Sequence, residues 1–158
     1  MKKHFILLFM VVACFLNACS KSMGQFVENQ EIQIVVDNFF ESYKNESTND
    51  ALGNLFSTNK LFANNSIEVN NVKSLLAEQI SDIGSYRGYE FIGSRKVANS
   101  IELYTYLVKY DVKPLRFTFI FYKALDKWNL FSFKFDDDII LELEDAGKVY
   151  LLDVNIGK

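Results

Sequence analysis

The side chains able to do chemistry are few and poorly grouped. The 158-residue chain has one histidine, His4, and two cysteines, Cys14 and Cys19. From Ser20 onward it therefore has neither imidazole nor thiol. That removes Ser-His-Asp and Cys-His activation from the body of the protein, along with the usual zinc ligand sets. No cofactor and no tightly held transition metal is expected. Gly53, Gly84, Gly88, Gly93 and Gly147 never approach the spacing of a phosphate cradle. Asp136-Asp137-Asp138 is the densest charge cluster. Calcium would need oxygen ligands converging from a looped motif, and three adjacent carboxylates cannot all face one ion. They suit a strand end followed by a helix start, where the helix dipole favours acids. Tyr104, Tyr106, Tyr122 and Asp111 supply the types for proton transfer, but no motif joins them, and sheet tyrosines usually pack with a wetted hydroxyl. No catalytic residue is assigned.

The cysteines speak to location instead. Lys2 and Lys3 precede an apolar run from Phe5 to Leu16, and Asn17-Ala18 lead into Cys19. A charged start, a short apolar stretch and a small residue before the cut describe a secretory signal. The run is shorter than the roughly 20 apolar residues of a comfortable transmembrane helix. Leu16-Asn17-Ala18-Cys19 resembles the lipobox of bacterial lipoproteins, with Asn17 a departure from that family's small or aliphatic residue. The resemblance implies cleavage before Cys19 and a diacylglycerol thioether on it. Val11-Val12-Ala13-Cys14 is a second such tetrapeptide but leaves an apolar run of only about eight residues, so its length favours Cys19. Two or three acyl chains, at about 0.8 kcal/mol per buried CH₂, make such anchoring stable.

The chain then divides into a signal (1–18), a small polar tether (19–26) and one domain (27–158), whose length suits a single core. Removing Lys2 and Lys3 takes the 17 basic residues to 15 against 20 acidic, a balance of −5. That balance argues against nucleic acid and against a polybasic grip on anionic lipid.

Periodicity orders the domain. Ile32, Val36, Phe39, Phe40 and Tyr43 form one helical stripe, predicting a helix from about Val27 to Asn45. Thr48 or Asn49 should cap a second helix carrying Leu52, Leu55 and Phe56. Residues 57–66 read as loop or a ragged turn. A further helix carries Val72, Leu75, Leu76, Ile80 and Ile83, with Gly84 placed to end it. The period then shifts to two. Tyr89–Val97, Ile101–Tyr110, Leu115–Lys123 and Trp128–Phe135 predict four strands with short connections, hence an antiparallel meander. Over 139–152 a helix capped by Asp137 or Asp138 is preferred, with Ile139, Leu143, Ala146 and Tyr150 on one face. A hairpin turning at Ala146-Gly147 is the alternative.

The expected class is α+β, with N-terminal helices on a curved antiparallel sheet of about four strands. That order resembles the nuclear transport factor 2-like fold, a cone whose first helix packs into a concave sheet. The resemblance extends to Gly88-Tyr89-Glu90, Tyr110, Pro114-Leu115-Arg116-Phe117, Phe121-Tyr122-Lys123, Trp128 and Phe133-Lys134-Phe135. Cystatin-like arrangements share the element order.

Strand alternation assigns faces. Phe117, Phe119 and Phe121 share one face, as do Phe131, Phe133 and Phe135, and Phe39 or Phe40 should lie against Phe119 and Phe133. The opposite face carries Arg116, Thr118, Ile120, Tyr122, Trp128, Leu130, Ser132 and Lys134. Arg116, Tyr122, Trp128 and Lys134 have the composition of a partner surface; an ordinary solvated face is the plainer reading. The inward face of 101–110 is undecided, because Leu103 and Leu107 oppose Tyr104, Tyr106 and Tyr110. The reading that follows is a non-enzymatic, lipid-anchored binding or interaction module. It belongs to the bacterial envelope, with the periplasmic side of the outer membrane suggested by Ser20-Lys21. Its partner would be a protein, a second copy or a small ligand. The alternatives are a small-molecule enzyme in a pocket of the cone and an envelope stress or immunity-type lipoprotein. A closed pocket holding a carboxylate of raised pKa would favour the enzyme.

Overall fold

The computed structural model describes residues 29–144. The signal, Cys19, the tether, the first residues of the expected helix (27–28), and the positions of Ala146, Gly147 and Tyr150 lie outside the described residues. Four helices precede four strands: α1 (Gln30–Asn45), α2 (Thr48–Ser57), α3 (Lys60–Ala63), α4 (Ser66–Ser81), β1 (Tyr86–Val97), β2 (Ile101–Tyr110), β3 (Leu115–Lys123) and β4 (Trp128–Asp136). The strands form one antiparallel sheet in the order β1-β2-β3-β4.

α1 buries the stripe its spacing predicts, Ile32, Val36, Phe39, Phe40 and Tyr43. Asn29 caps it, its side chain accepting the Glu31 N–H, and Glu31 and Lys44 suit the dipole at either end. The cap of α2 is Ser47, one residue before the expected Thr48 or Asn49; its hydroxyl oxygen accepts the Asp50 N–H. The Asn-rich stretch at 57–66 contains the single turn α3, capped by Asn59. α4 starts earlier than its apolar stripe, buries Leu76 and leaves Leu75 exposed. A helix so weakly buried owes its place to Leu76 and the half-buried Val69, Val72 and Ile80. Gly84 follows the C-cap Asp82 by two residues, at φ +85°, and a Cβ there would lie 2.7 Å from that of Asp111. Only glycine combines that backbone with that approach.

The core lies between one face of the sheet and α1. The Phe39 ring lies 5.2 Å from Phe119 and 5.8 Å from Phe133, as expected, and Phe40 lies 5.4 Å from Tyr106. On β2 the tyrosines win the inward face: Glu102, Tyr104, Tyr106, Val108 and Tyr110 are buried. Register shifts at Tyr86/Gly88 and Phe91/Gly93 interrupt the β1–β2 ladder, and such bulges bend a strand.

One sequence expectation fails on β4. Ile120 pairs with Ser132, but Phe121 pairs with Leu130, so the register skips Phe131. Strict alternation counts one residue too few there, and everything before the bulge changes face. Trp128 and Leu130 therefore turn inward at 6% and 0% exposure, while Phe131, expected inside, is 52% exposed. After β4, residues 139–144 are helical as preferred; the rest of 139–152 lies outside the described residues. The expected capping acids are used otherwise. Asp137 binds Lys113 at 2.6 Å, and it is Asp136 that accepts a backbone N–H, from Asp138.

Candidate functional site

Of the four side chains expected on a partner surface, two face solvent. Tyr122 is 43% exposed, 6.3 Å from the ring of Phe131. Lys134 is exposed, opposite Thr118 on β3. Arg116 shares that outer face but is committed, binding Asp136 and Glu142 at 2.9 Å each. The Asp136 hydrogen bond foremost, followed by Glu142, outweighs burial and holds its guanidinium above its ordinary pKa. Arg116 thus ties the 139–144 helix to the sheet, and its Nε is buried without a partner among the described residues. Trp128 is a correction: it belongs to the inner side, with Lys123 Nζ 4.9 Å from its ring centre. Phe131 takes its place outside. No local sequence signal marks that bulge; the one clue is that pairing Phe131 inward would push Trp128 and Leu130 into water.

The 139–144 helix crosses the other half of the outer face. Ile139, Glu142 and Leu143 line a shallow groove of about 570 Å³ with Ile92, Leu103, Thr105 and Leu107. Leu103 and Leu107, whose orientation the sequence leaves open, thus sit beside this helix. The exposed remainder of the face centres on Tyr122 and Phe131.

Phe39, Phe40, Tyr104, Tyr106, Phe117, Phe119 and Phe121 are buried to 2% exposure or less and touch ring to ring. One carboxylate lies among them. Glu102 is 1% exposed, binds Lys96 at 2.9 Å, and accepts the Tyr104 hydroxyl at 2.8 Å. Tyr104 in turn accepts the Asn29 N–H at 3.0 Å, joining the start of α1 to the sheet. Burial alone would raise the pKa of Glu102. The Lys96 and Tyr104 hydrogen bonds outweigh it and hold the carboxyl below its ordinary range. It is an ionised anchor, the reverse of a proton donor poised near neutrality.

The residue types suited to proton transfer are not brought together. Tyr104 and Tyr106 point inward and Tyr122 outward. Asp111 sits beyond β2, accepting the Ser85 N–H and binding Arg87 at 2.5 Å; the Arg87 hydrogen bond chiefly lowers its pKa. Tyr43 and Tyr110 share a hydrogen bond of 2.5 Å between hydroxyls. Burial first, then neighbouring phenols and Glu41, pushes Tyr86 up to about 12, so it stays a neutral donor. Beside Tyr86, an open groove of about 830 Å³ runs between α1 and β1, lined by Asp37, Phe40, Glu41, Arg87 and Tyr89. It offers carboxylate acceptors and phenolic donors, but without histidine or thiol it has no ready nucleophile-activating pair. Among the described residues no three His, Cys, Asp or Glu side chains gather as metal ligands, and no helix is long and apolar enough to cross a membrane. No family model, curated protein or solved structure matches the chain.

Proposed function

We propose that this protein is a lipid-anchored, non-enzymatic interaction module of the bacterial cell envelope, tethered through Cys19, with a nuclear transport factor 2-like cone as its domain. The single observation that supports the non-enzymatic part is the aromatic packing of the inner face. Where such a cone could hold a reaction chamber, Phe39, Phe40, Phe119 and Tyr106 are in ring contact. The buried carboxylate beside them has its pKa lowered, not raised. What remains for recognition is the outer face, with Tyr122, Phe131 and Lys134 exposed and Arg116 beside them. An aromatic pair with a flanking cation suits a protein partner or a second copy. The site of action would be the periplasmic side of the outer membrane.

Crosslinking in native membranes followed by recovery of the protein tests the reading. A discrete adduct that needs Tyr122 and Phe131 supports it. Turnover of a small molecule by the purified domain, abolished by a substitution in the α1–β1 groove such as Asp37→Asn, would replace it with the enzyme reading.

A further inference from the structure

We propose that the bare edge of the sheet, Phe91–Val97 of β1, is the docking site of this chain's own segment 149–156, which adds to it as a fifth strand. The inference goes beyond the anchor and the partner face and depends on neither.

The sheet has two edges, and they differ. Along β4 the Asn59 side chain donates to the Leu130 carbonyl at 2.7 Å. α4 flanks the rest of that strand across a groove lined by Val72, Ile83 and Phe135. The first half of β1 is flanked by α1, with the Tyr89 ring stacked on Phe40 at 3.7 Å. Its second half pairs with β2 alone among the described residues. Phe91, Ile92 and Val97 are exposed there. Such an edge, with apolar side chains on both faces, is a template for another strand.

The chain is delivered to that edge. Arg116 binds Glu142 and fixes the 139–144 helix on the outer face. Leu143 of that helix lines a groove with Ile92, Ser94 and Arg95 of β1. The sequence then supplies a turn signal at Ala146-Gly147 and a new period. Tyr150, Leu152, Val154 and Ile156 recur at every second residue, the spacing of one strand face. Val149, Tyr150, Val154 and Ile156 are also the β-branched and aromatic types that strands favour. At about 3.3 Å per residue, 149–156 spans about 26 Å and Phe91–Val97 about 23 Å.

Charge favours this occupant over a second copy. Edge-to-edge pairing of β1 with another β1 would bring Arg95 and Lys96 of both chains together, which like charges oppose. Segment 149–156 carries one charge, the acid Asp153. Arg95 pairs with Leu103, which faces outward, and Lys96 with Glu102, which faces inward. The acid therefore meets a cation whichever face it takes.

The full chain, purified in mild detergent, is followed by amide exchange read residue by residue. Within Phe91–Val97 some amides bond to β2, and those that point to the edge should nonetheless exchange slowly. Leu151→Pro combined with Leu152→Pro removes two successive N–H groups, which point to opposite sides, so one is lost from the new ladder. The edge amides should then exchange about tenfold faster or more, while β2 and β3 stay slow. In an otherwise unchanged chain, a photoreactive phenylalanine analogue at residue 152 should crosslink to β1 of the same chain. Fast exchange of the edge amides in the parent overturns the proposal, as does slow exchange that the double variant leaves unchanged. Protection that fades on dilution, with dimers in sedimentation, gives the edge to a second copy and overturns it too. A crosslink from residue 152 to β3 or β4 in place of β1 would show that the segment docks elsewhere.

Discussion

Phe119 and Tyr122, three residues apart on β3, stand on opposite faces of the sheet, the first at 0% exposure and the second at 43%. Phe119 lies 5.2 Å from both Phe39 and Phe133. Phe119→Ala should cost about 3–5 kcal/mol, the usual range for emptying a buried Phe site. Tyr122→Ala should cost much less and should weaken partner capture instead. Denaturant titration of both variants checks the ranking; the reverse order would mean the faces are assigned backwards.

Trp128→Ala should behave like a core substitution. Its ring is 6% exposed and forms the start of β4 on the inner side. A loss of about 3–5 kcal/mol is expected, as for other large-to-small changes of a buried aromatic. Phe131→Ala, at 52% exposure, should leave the unfolding midpoint nearly unchanged. Equal costs at the two positions would contradict the bulge at Phe131.

The Glu102 carboxyl has a folded pKa below its unfolded value near 4.5. A depressed carboxylate contributes stability that is present above the unfolded pKa and lost as pH falls through the folded one. The unfolding midpoint of the parent should therefore drop as the pH is lowered below about 4.5. Glu102→Gln, which cannot ionise, should be less stable at neutral pH and should approach the parent at low pH. A constant gap between the two across that range would count against the Lys96–Glu102 pairing.

Arg116 holds the 139–144 helix through Glu142 and the end of β4 through Asp136. Arg116→Gln removes both ion pairs while keeping most of the volume. Amide exchange over 139–144 should accelerate, and exchange in β2 and β3 should stay slow, because local opening draws on local contacts. Uniform acceleration across the sheet would show that Arg116 supports the whole core.

Much of this architecture is legible in the sequence, because burial on one side imposes a period. The stripe from Ile32 to Tyr43 and the alternation of Phe117, Phe119 and Phe121 give the helix, the strand and their contact. Legibility ends where the period is broken by one residue or decided by a partner. The extra residue at Phe131 has no composition cue, yet it swaps Trp128 for Phe131 on the proposed partner surface. On β2, both faces are apolar enough to be buried. Only the packing on α1 and the Glu102–Lys96 pair choose the tyrosines. The proposed anchor rests on a different kind of signal, a run of residue types before Cys19, which owes nothing to packing. Labelling with an alkyne palmitate should mark the parent and Cys14→Ala and be lost in Cys19→Ala; the opposite pattern would move the anchor to Cys14.

The central claim is that the filled inner face leaves the outer face to do the protein's work. It is tested most directly by a photoreactive phenylalanine analogue at residue 122, irradiated in native membranes and compared with the same analogue at residue 87, on β1. The account predicts a discrete adduct from 122, absent from 87, that disappears when Phe131→Glu is added and the fold is retained. No adduct from 122, or one that persists unchanged with Phe131→Glu, would contradict it.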